Sequence, residues 1–232
     1  MDILTSWSLW IALGSIIFTN ILLSGDNAVV IAMASRNLPK EHQKKAIFWG
    51  SAAAIILRIV LTLTAATLLT MPYLKIIGGI LLLYIGIQLM ADSGDDEEVS
   101  TESSLFGAIR TILIADLVMS LDNVVAVAAS AENGPPEART ALILIGLALS
   151  IPLIIFGSSM LLKVMDRFPI IIVLGAALLG LLAGQMFITD PVITVNFESH
   201  LQEAQIAFQI IGAAIVVIVG YYLKKKNSNS SS

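Results

Sequence analysis

The chain has 232 residues, of which 57% are hydrophobic and only 13% are charged, and its mean hydropathy is +0.90. Soluble domains have about 25% charged residues, so this composition excludes an ordinary soluble domain and indicates a polytopic membrane protein. The net charge is −4 and the chain has no cysteine. Disulfides, thiolate metal sites and cysteine catalysis are therefore excluded, and no basic face predicts binding to nucleic acid.

Seven segments in chain order are apolar enough to cross a membrane. Each is a run of about 20 mainly apolar residues, the length that spans the hydrocarbon as a helix. Prolines and glycines separate the segments, as is typical of turns. The predicted spans are 7–34, 46–70, 73–91, 105–130, 138–162, 169–189 and 204–223.

Lysine and arginine are distributed unevenly between the predicted loops. Because cytoplasmic loops are enriched in these residues, the bias predicts an N-terminus outside and a C-terminus in the cytoplasm. The acidic segment 92–104 then becomes a cytoplasmic linker, and the polar residues 224–232 are expected to form a disordered tail. The charges behind this orientation are Arg36, Lys40, Lys44, Lys45, Lys163, Arg167, Lys224, Lys225 and Lys226.

The chain also repeats itself. The segment SGDNAVVIA at 24–32 matches the segment SLDNVVAVA at 120–128, 96 residues later, and Pro72 and Gln88 match Pro169 and Gln185 at a shift of 97. Each repeat holds three spans, and an odd number of crossings inverts the second repeat relative to the first. The prediction is an all-α membrane protein with seven transmembrane helices. Its units are a first repeat (1–91), the linker (92–104), an inverted second repeat (105–190), a loop with a seventh helix (191–223) and the tail.

Three carboxylates lie inside the predicted spans: Asp26, Asp116 and Asp122. A charged side chain at the centre of a span costs about 2.5–3.5 kcal/mol on insertion scales, so a functional role is the default. In a continuous helix Asp26 and Asp122 would point away from Ser24 and Ser120. The polar residues that share one helix face are Asn20, Ser24 and Asn27 in the first repeat and Asp116, Ser120 and Asn123 in the second. Asp26 and Asp122 could join these faces only if the helix unwinds, which Gly25 favours in the first repeat and Leu121 does not favour in the second.

Oxygen ligands from carboxylates and amides suit hard cations such as Mn²⁺, Mg²⁺ and Ca²⁺. The two histidines, His42 and His200, fall in predicted loops, which argues against zinc or copper. Arg58 is the one cation deep in a predicted span, either as a structural counter-ion or as a gating group that pairs with the empty site. The predicted metal ligands are Asn20, Asp26, Asn27, Asp116, Asp122 and Asn123, and the supporting residues are Ser24, Ser120, Gln88, Gln185 and Arg58.

The motifs SGDNAVVIAMA and DLVMSLDNVVAVAA, set in a duplicated seven-span chain, resemble the TerC family of the LysE-like exporter group. The resemblance covers about 7–223. It implies metal-ion efflux across the bacterial cytoplasmic membrane, with Mn²⁺ the leading substrate and no organic cofactor. Asn20 stands where many members carry an acid, and Asn123 where many carry serine. These differences indicate a short, single-domain branch.

Two other functions compete with metal export. An exporter of an amino acid or small organic cation would need a partner for the substrate's carboxylate, such as Arg58 or the N-terminus of a half-helix. An intramembrane aspartyl protease could use two aspartates, but the flanking residues Ser-Gly-Asp-Asn and Ser-Leu-Asp-Asn differ from protease motifs, so no enzymatic activity is expected. A role in metallating secreted proteins could coexist with transport. The expected partners are a divalent cation and the lipid bilayer, and a homodimer is left open.

Overall fold

Every regular element in the described part of the chain is helical. The computed structural model describes residues 7–68, 71–92, 101–196 and 201–230. A short 3₁₀ turn at Pro136–Ala138 precedes the helix that begins at Arg139. The helices are α1 (Trp7–Leu22), α2 (Gly25–Ser35), α3 (Lys40–Leu68), α4 (Leu74–Ala91), α5 (Thr101–Glu132), α6 (Arg139–Ala148), α7 (Ser150–Arg167), α8 (Ile170–Ile188), α9 (Pro191–Asn196) and α10 (Leu201–Ser230).

Six helical segments of the described residues are long and apolar enough to cross a membrane. They are α3, α4, α5, the α6–α7 unit, α8 and α10. The pair α1 and α2 meets the same test as one unit, with a bend of 44° at the break between the helices. With that bent pair taken as one span, the segments coincide with the seven predicted spans.

Two apolar cores hold the helices together, and α5 contributes to both. One core packs α2, α4, α5 and α8 around Leu82 and Leu179. The other packs α1, α3, α5 and α6 around Ile16, Ile112 and Leu147. Large apolar side chains remain on the outer surface, as expected for helices that face lipid instead of water. The central position of α5 places Asp116 and Asp122 inside the bundle.

The seventh span, α10, packs against α8 and α4. Glycines allow the backbones to approach closely, because a Cβ atom added at Gly180 or Gly184 would collide with the backbone of α10. Gly212 on α10 faces Gly180 in the same way. Small residues at a helix–helix contact are typical of packing in membranes. α10 is therefore an integral part of the bundle.

The structure differs from the predicted units in two places. The segment 224–230 continues α10 as a helix, whereas a disordered tail was expected, because each added residue of an existing helix gains one backbone hydrogen bond. The predicted loop after 190 contains the short helix α9. The predicted linker is described only in part: residues 93–100 lie outside the described residues, and α5 already begins at Thr101.

Candidate functional site

The first Asp-Asn motif lies at the break between α1 and α2. The backbone N–H of Asn27 donates to the Asp26 side chain at 2.8 Å, so the carbonyl of Leu23 is left free of its usual helical donor. The Nδ2 atoms of Asn27 and Asn123 both donate to that carbonyl, at 3.3 and 3.2 Å. The asparagines of both motifs thus hold one freed carbonyl.

The helix unwinds next to Gly25, as expected, while α5 runs unbroken through Leu121. Glycine itself is not what the break requires, however. Gly25 does not have a positive φ, and a Cβ atom added there would meet nothing within 4 Å. Polar side chains around the Leu23 carbonyl, and not the conformational freedom of glycine, therefore stabilise the break.

Arg58 of α3 is only 1% exposed and lies in a buried group of polar side chains, the arginine cluster. Its Nη2 atom lies 2.5 Å from Oδ1 of Asp116. Its Nε donates to Ser120 at 3.0 Å, and Nη1 donates to Asn20 at 3.0 Å and to Ser24 at 3.3 Å. A buried guanidinium is tolerated when paired and hydrogen-bonded in this way. The arginine cluster consists of Asn20, Ser24, Arg58, Asp116 and Ser120.

The arginine cluster gives five predicted site residues a partner within the protein. Ser120 also donates to Asp116 at 3.2 Å, and the amide of Asn20 donates to Ser150 of α7. Arg58 is therefore the counter-ion of Asp116 in this conformation, in line with one of the two expected roles. That Asp116 and Asn20 bind metal stays a prediction, and it requires Arg58 to release them.

A second group of predicted residues lines a cavity of about 230 Å³, here called the acidic cavity. Asp26 enters it from α2, Asp122 and Asn123 from α5, and Gln185 from α8. The remaining walls are mainly apolar, which leaves these oxygen-bearing groups as its polar features. The apolar lining residues are Leu23, Leu82, Val118, Met119, Leu182 and Met186.

Lys75, at the start of α4, forms an ion pair with Asp122 that the sequence analysis missed. Its Nζ atom lies 2.5 Å from Oδ1 of Asp122, and the two side chains are 15% and 33% exposed. Lys75 falls two residues inside the predicted span 73–91. That position was the available signal, since a cation within a span calls for a partner.

Asp190, also missed, fixes the backbone that carries Lys75. Its side chain is fully buried and accepts the backbone N–H groups of Tyr73, Lys75 and Ile76 at 3.1–3.3 Å. It therefore caps the first turn of α4, whose N–H groups have no helical acceptor. Tyr73 has φ of 65°, a left-handed conformation that turns the chain into α4.

The remaining predicted residues have separate surroundings. The Oδ1 atom of Asn27 is buried and has no hydrogen-bond partner among the described residues. Gln185 of α8 accepts from Gln209 of α10 at 3.1 Å, which is a hydrogen bond between two helices. Gln88 lies in a different cavity, with Arg110 and Thr111. Within the described ranges, no three histidine, cysteine, aspartate or glutamate residues are grouped closely enough to hold a metal ion.

The sequence model of the integral membrane protein TerC family matches residues 5–228. The chain belongs to the TerC family. It is thus an integral, multi-pass membrane protein, and the TerC match covers all the candidate spans of the described residues.

Relatives of this TerC protein are known by name. It is 39% identical to the uncharacterized membrane protein YjbE of Bacillus subtilis, over 93% of this chain and 96% of YjbE. It is 24% identical to the uncharacterized membrane protein YceF of the same organism, over 97% and 87% of the two chains. It is also 24% identical to the inner membrane protein YgdQ of Escherichia coli, over 97% of both chains. No solved structure matches.

Proposed function

We propose that this TerC protein is a secondary-type transporter that exports a divalent metal cation, with Mn²⁺ the leading substrate. The observation that carries the proposal is the acidic cavity, where carboxylates of both Asp-Asn motifs face one space inside the bundle. Two carboxylates match the charge of a divalent ion, and oxygen ligands suit Mn²⁺, Mg²⁺ and Ca²⁺. A carboxylate inside a membrane helix is costly, so its presence favours a functional role.

Asp26 and Asp122 are the charged ligands in this proposal. The amide oxygen of Asn123, at the cavity wall, completes the set together with Oδ1 of Asn27. That atom is buried and has no partner among the described residues, but Asn27 is not one of the lining residues. Gln185 lies at the cavity wall as a supporting group. Affinity has to stay moderate, because an exporter must also release its cargo.

Alternating access would come from two inverted repeats that move against each other. The packing supports this arrangement. Gly50 faces Ile112, and Gly146 faces Ile16. Gly146 lies 96 residues after Gly50, and Ile112 lies 96 residues after Ile16, so the repeat shift converts one contact into the other. The same exchange relates the packing of α3 on α5 to that of α7 on α2. Contacts paired in this way are those that a pseudo-two-fold axis between the repeats would produce.

The proposed setting is the bacterial cytoplasmic membrane, with the N-terminus outside and the C-terminus in the cytoplasm. The charge bias of the loops supports this orientation, and the name of YgdQ places that relative in the inner membrane. Outward transport, Mn²⁺ as cargo and a place in the LysE-like exporter group rest on the resemblance of the two motifs. Mg²⁺ or Ca²⁺ could take the place of Mn²⁺ on ligand chemistry alone.

A second candidate, export of an amino acid, is favoured by one observation. Groups of both signs meet at the acidic cavity, because Lys75, which is not itself a lining residue, pairs with the lining carboxylate of Asp122. A zwitterion needs a carboxylate for its amine and a cation for its own carboxylate. Arg58 is less suited to that role, since its guanidinium is already bonded to Asp116. Competition between amino acids and Mn²⁺ for the purified protein separates the two candidates.

The proposed function is tested by measuring manganese in bacteria that lack their own exporters and grow with excess Mn²⁺. Cells with the native protein should hold less manganese than cells with Asp26→Asn or Asp122→Asn at equal membrane levels. Asp166→Asn, at an exposed carboxylate near the end of α7, is the matched control and should behave like the native protein. Equal manganese in all strains would contradict Mn²⁺ export.

A further inference from the structure

A cation that belongs to the protein is paired with one of the carboxylates that line the acidic cavity. Asp26 and Asp122 contribute two carboxylates, and the Lys75 ammonium lies against one of them. With Lys75 in place the three groups have a formal charge of −1, and without it the two carboxylates have −2. The same carboxylate cannot be the full ligand of a metal ion and the partner of an ammonium at 2.5 Å.

Lys75 differs from Arg58 in how firmly it is held. Arg58 is 1% exposed and bonded to four side chains, so its guanidinium is locked in place. The Lys75 side chain is 15% exposed, and its ion pair with Asp122 is the one polar contact of its ammonium within the described residues. Its backbone is fixed by Asp190, but the ammonium sits on a flexible four-carbon stem. The Lys75 ammonium can therefore separate from Asp122, whereas the Lys75 backbone and the Arg58 guanidinium stay in place.

The position of Lys75 allows its side chain to reach the membrane interface. It lies in the first turn of α4, at the end of a membrane span. Long basic side chains near helix ends extend towards the membrane interface and keep their charge in water there. The ammonium can therefore leave Asp122 for the interface without a rearrangement of α4.

We propose that Lys75 is a tethered counter-cation of the transport site: it holds Asp122 when cargo is absent and must leave before a divalent cation binds both aspartates. This inference rests on the proposed function and adds a selectivity mechanism to it. A monovalent ion that displaces Lys75 replaces one positive charge with another and gains little. A divalent ion neutralises both carboxylates, so the competing ammonium selects cargo by charge.

The absence of cysteine from the chain allows a direct test. In purified full-length protein in nanodiscs, Lys75→Cys can be modified with an aminoethyl thiosulfonate, which restores an ammonium, or with a methyl thiosulfonate, which does not. Mn²⁺ binding is then measured by calorimetry for each form, alone and with K⁺ added. The Lys75 ammonium lies 2.5 Å from the Asp122 carboxylate. An opposite charge this close changes the affinity of a carboxylate for a proton by about tenfold or more, and a similar change is expected for its affinity for a metal ion.

The unmodified and methylated forms of Lys75→Cys should bind Mn²⁺ about tenfold more tightly than the native protein, and K⁺ should now compete. Aminoethylation should return both properties towards native. Lys75→Met replaces the cysteine variant if the latter fails to fold. Native affinity in every form, with loss of binding only in Asp122→Asn, would overturn the role of Lys75 and leave the proposed function standing. If none of the folded forms binds Mn²⁺, both proposals fail together.

Discussion

At the scale of single residues, the arginine cluster shows how this membrane protein tolerates a buried charge. Arg58 and Asp116 are 1% and 6% exposed, and each satisfies the other. Such a pair gains little over apolar residues of the same shape, but loss of one partner leaves an uncompensated charge and is strongly destabilising. Arg58 and Asp116 must therefore be replaced together if the protein is to keep its stability.

Arg58→Met should destabilise the protein by about 3–5 kcal/mol, because Asp116 would be left buried without its counter-ion. The double variant Arg58→Met, Asp116→Asn removes both charges and should recover part of that loss. Thermal unfolding of the purified proteins in detergent measures both effects. A double variant as unstable as Arg58→Met alone would show that the loss does not come from the unpaired carboxylate.

Asp190 should also contribute strongly to the stability of the protein. Asp190→Ala removes the acceptor of three backbone N–H groups around the start of α4 and should cost about 1–3 kcal/mol. Asp190→Asn retains an acceptor oxygen and should lose less. Melting temperatures of the two variants test this order, and equal stability of Asp190→Ala and the native protein would contradict the capping role.

At the scale of helices, the two Asp-Asn motifs have different backbones although their sequences match. The first lies at a break, and the second lies on the continuous helix α5. Asn123 of the intact helix donates to the Leu23 carbonyl that the broken helix leaves free. A contact between the motifs thus stabilises the local unwinding, and the break depends on residues from both repeats.

This explanation predicts that Asn123→Ala weakens the protein more than Gly25→Ala does. Asn123→Ala removes a hydrogen bond to a partly buried carbonyl and should cost about 1 kcal/mol. Gly25→Ala should stay within about 0.5 kcal/mol of native, since the added methyl group meets nothing. The comparison is made by thermal unfolding, and a larger loss for Gly25→Ala would show that the break depends on glycine after all.

At the scale of the whole molecule, the apolar runs predicted the spans well because hydrocarbon thickness constrains helix length strongly. The site was predictable only in part. Sequence predicted Asp26, Asp122 and Asn123 as ligands, and these residues line one cavity. Three aspartates could each have been the partner of Arg58, however, and only packing selects Asp116. Lys75 and Asp190 were missed because they lie at span ends, where charged residues usually meet water.

The orientation of the bundle can be tested independently of transport. The Lys/Arg bias predicts that the C-terminal end of α10 lies in the cytoplasm. A fluorescent protein fused there should fluoresce, while alkaline phosphatase at the same position should be inactive. Active phosphatase at the C-terminus would reverse the predicted orientation, and with it the side from which Lys75 exchanges.

The most direct test of the central claim is Mn²⁺ flux into proteoliposomes that contain a manganese-quenched dye. The purified native protein should give saturable quenching, and Asp26→Asn and Asp122→Asn should each abolish it while remaining folded. Asp166→Asn should retain the native rate. Native-like flux in both cavity variants would contradict a transport site built from the paired motifs, and no Mn²⁺ flux through the folded native protein would contradict the proposed cargo.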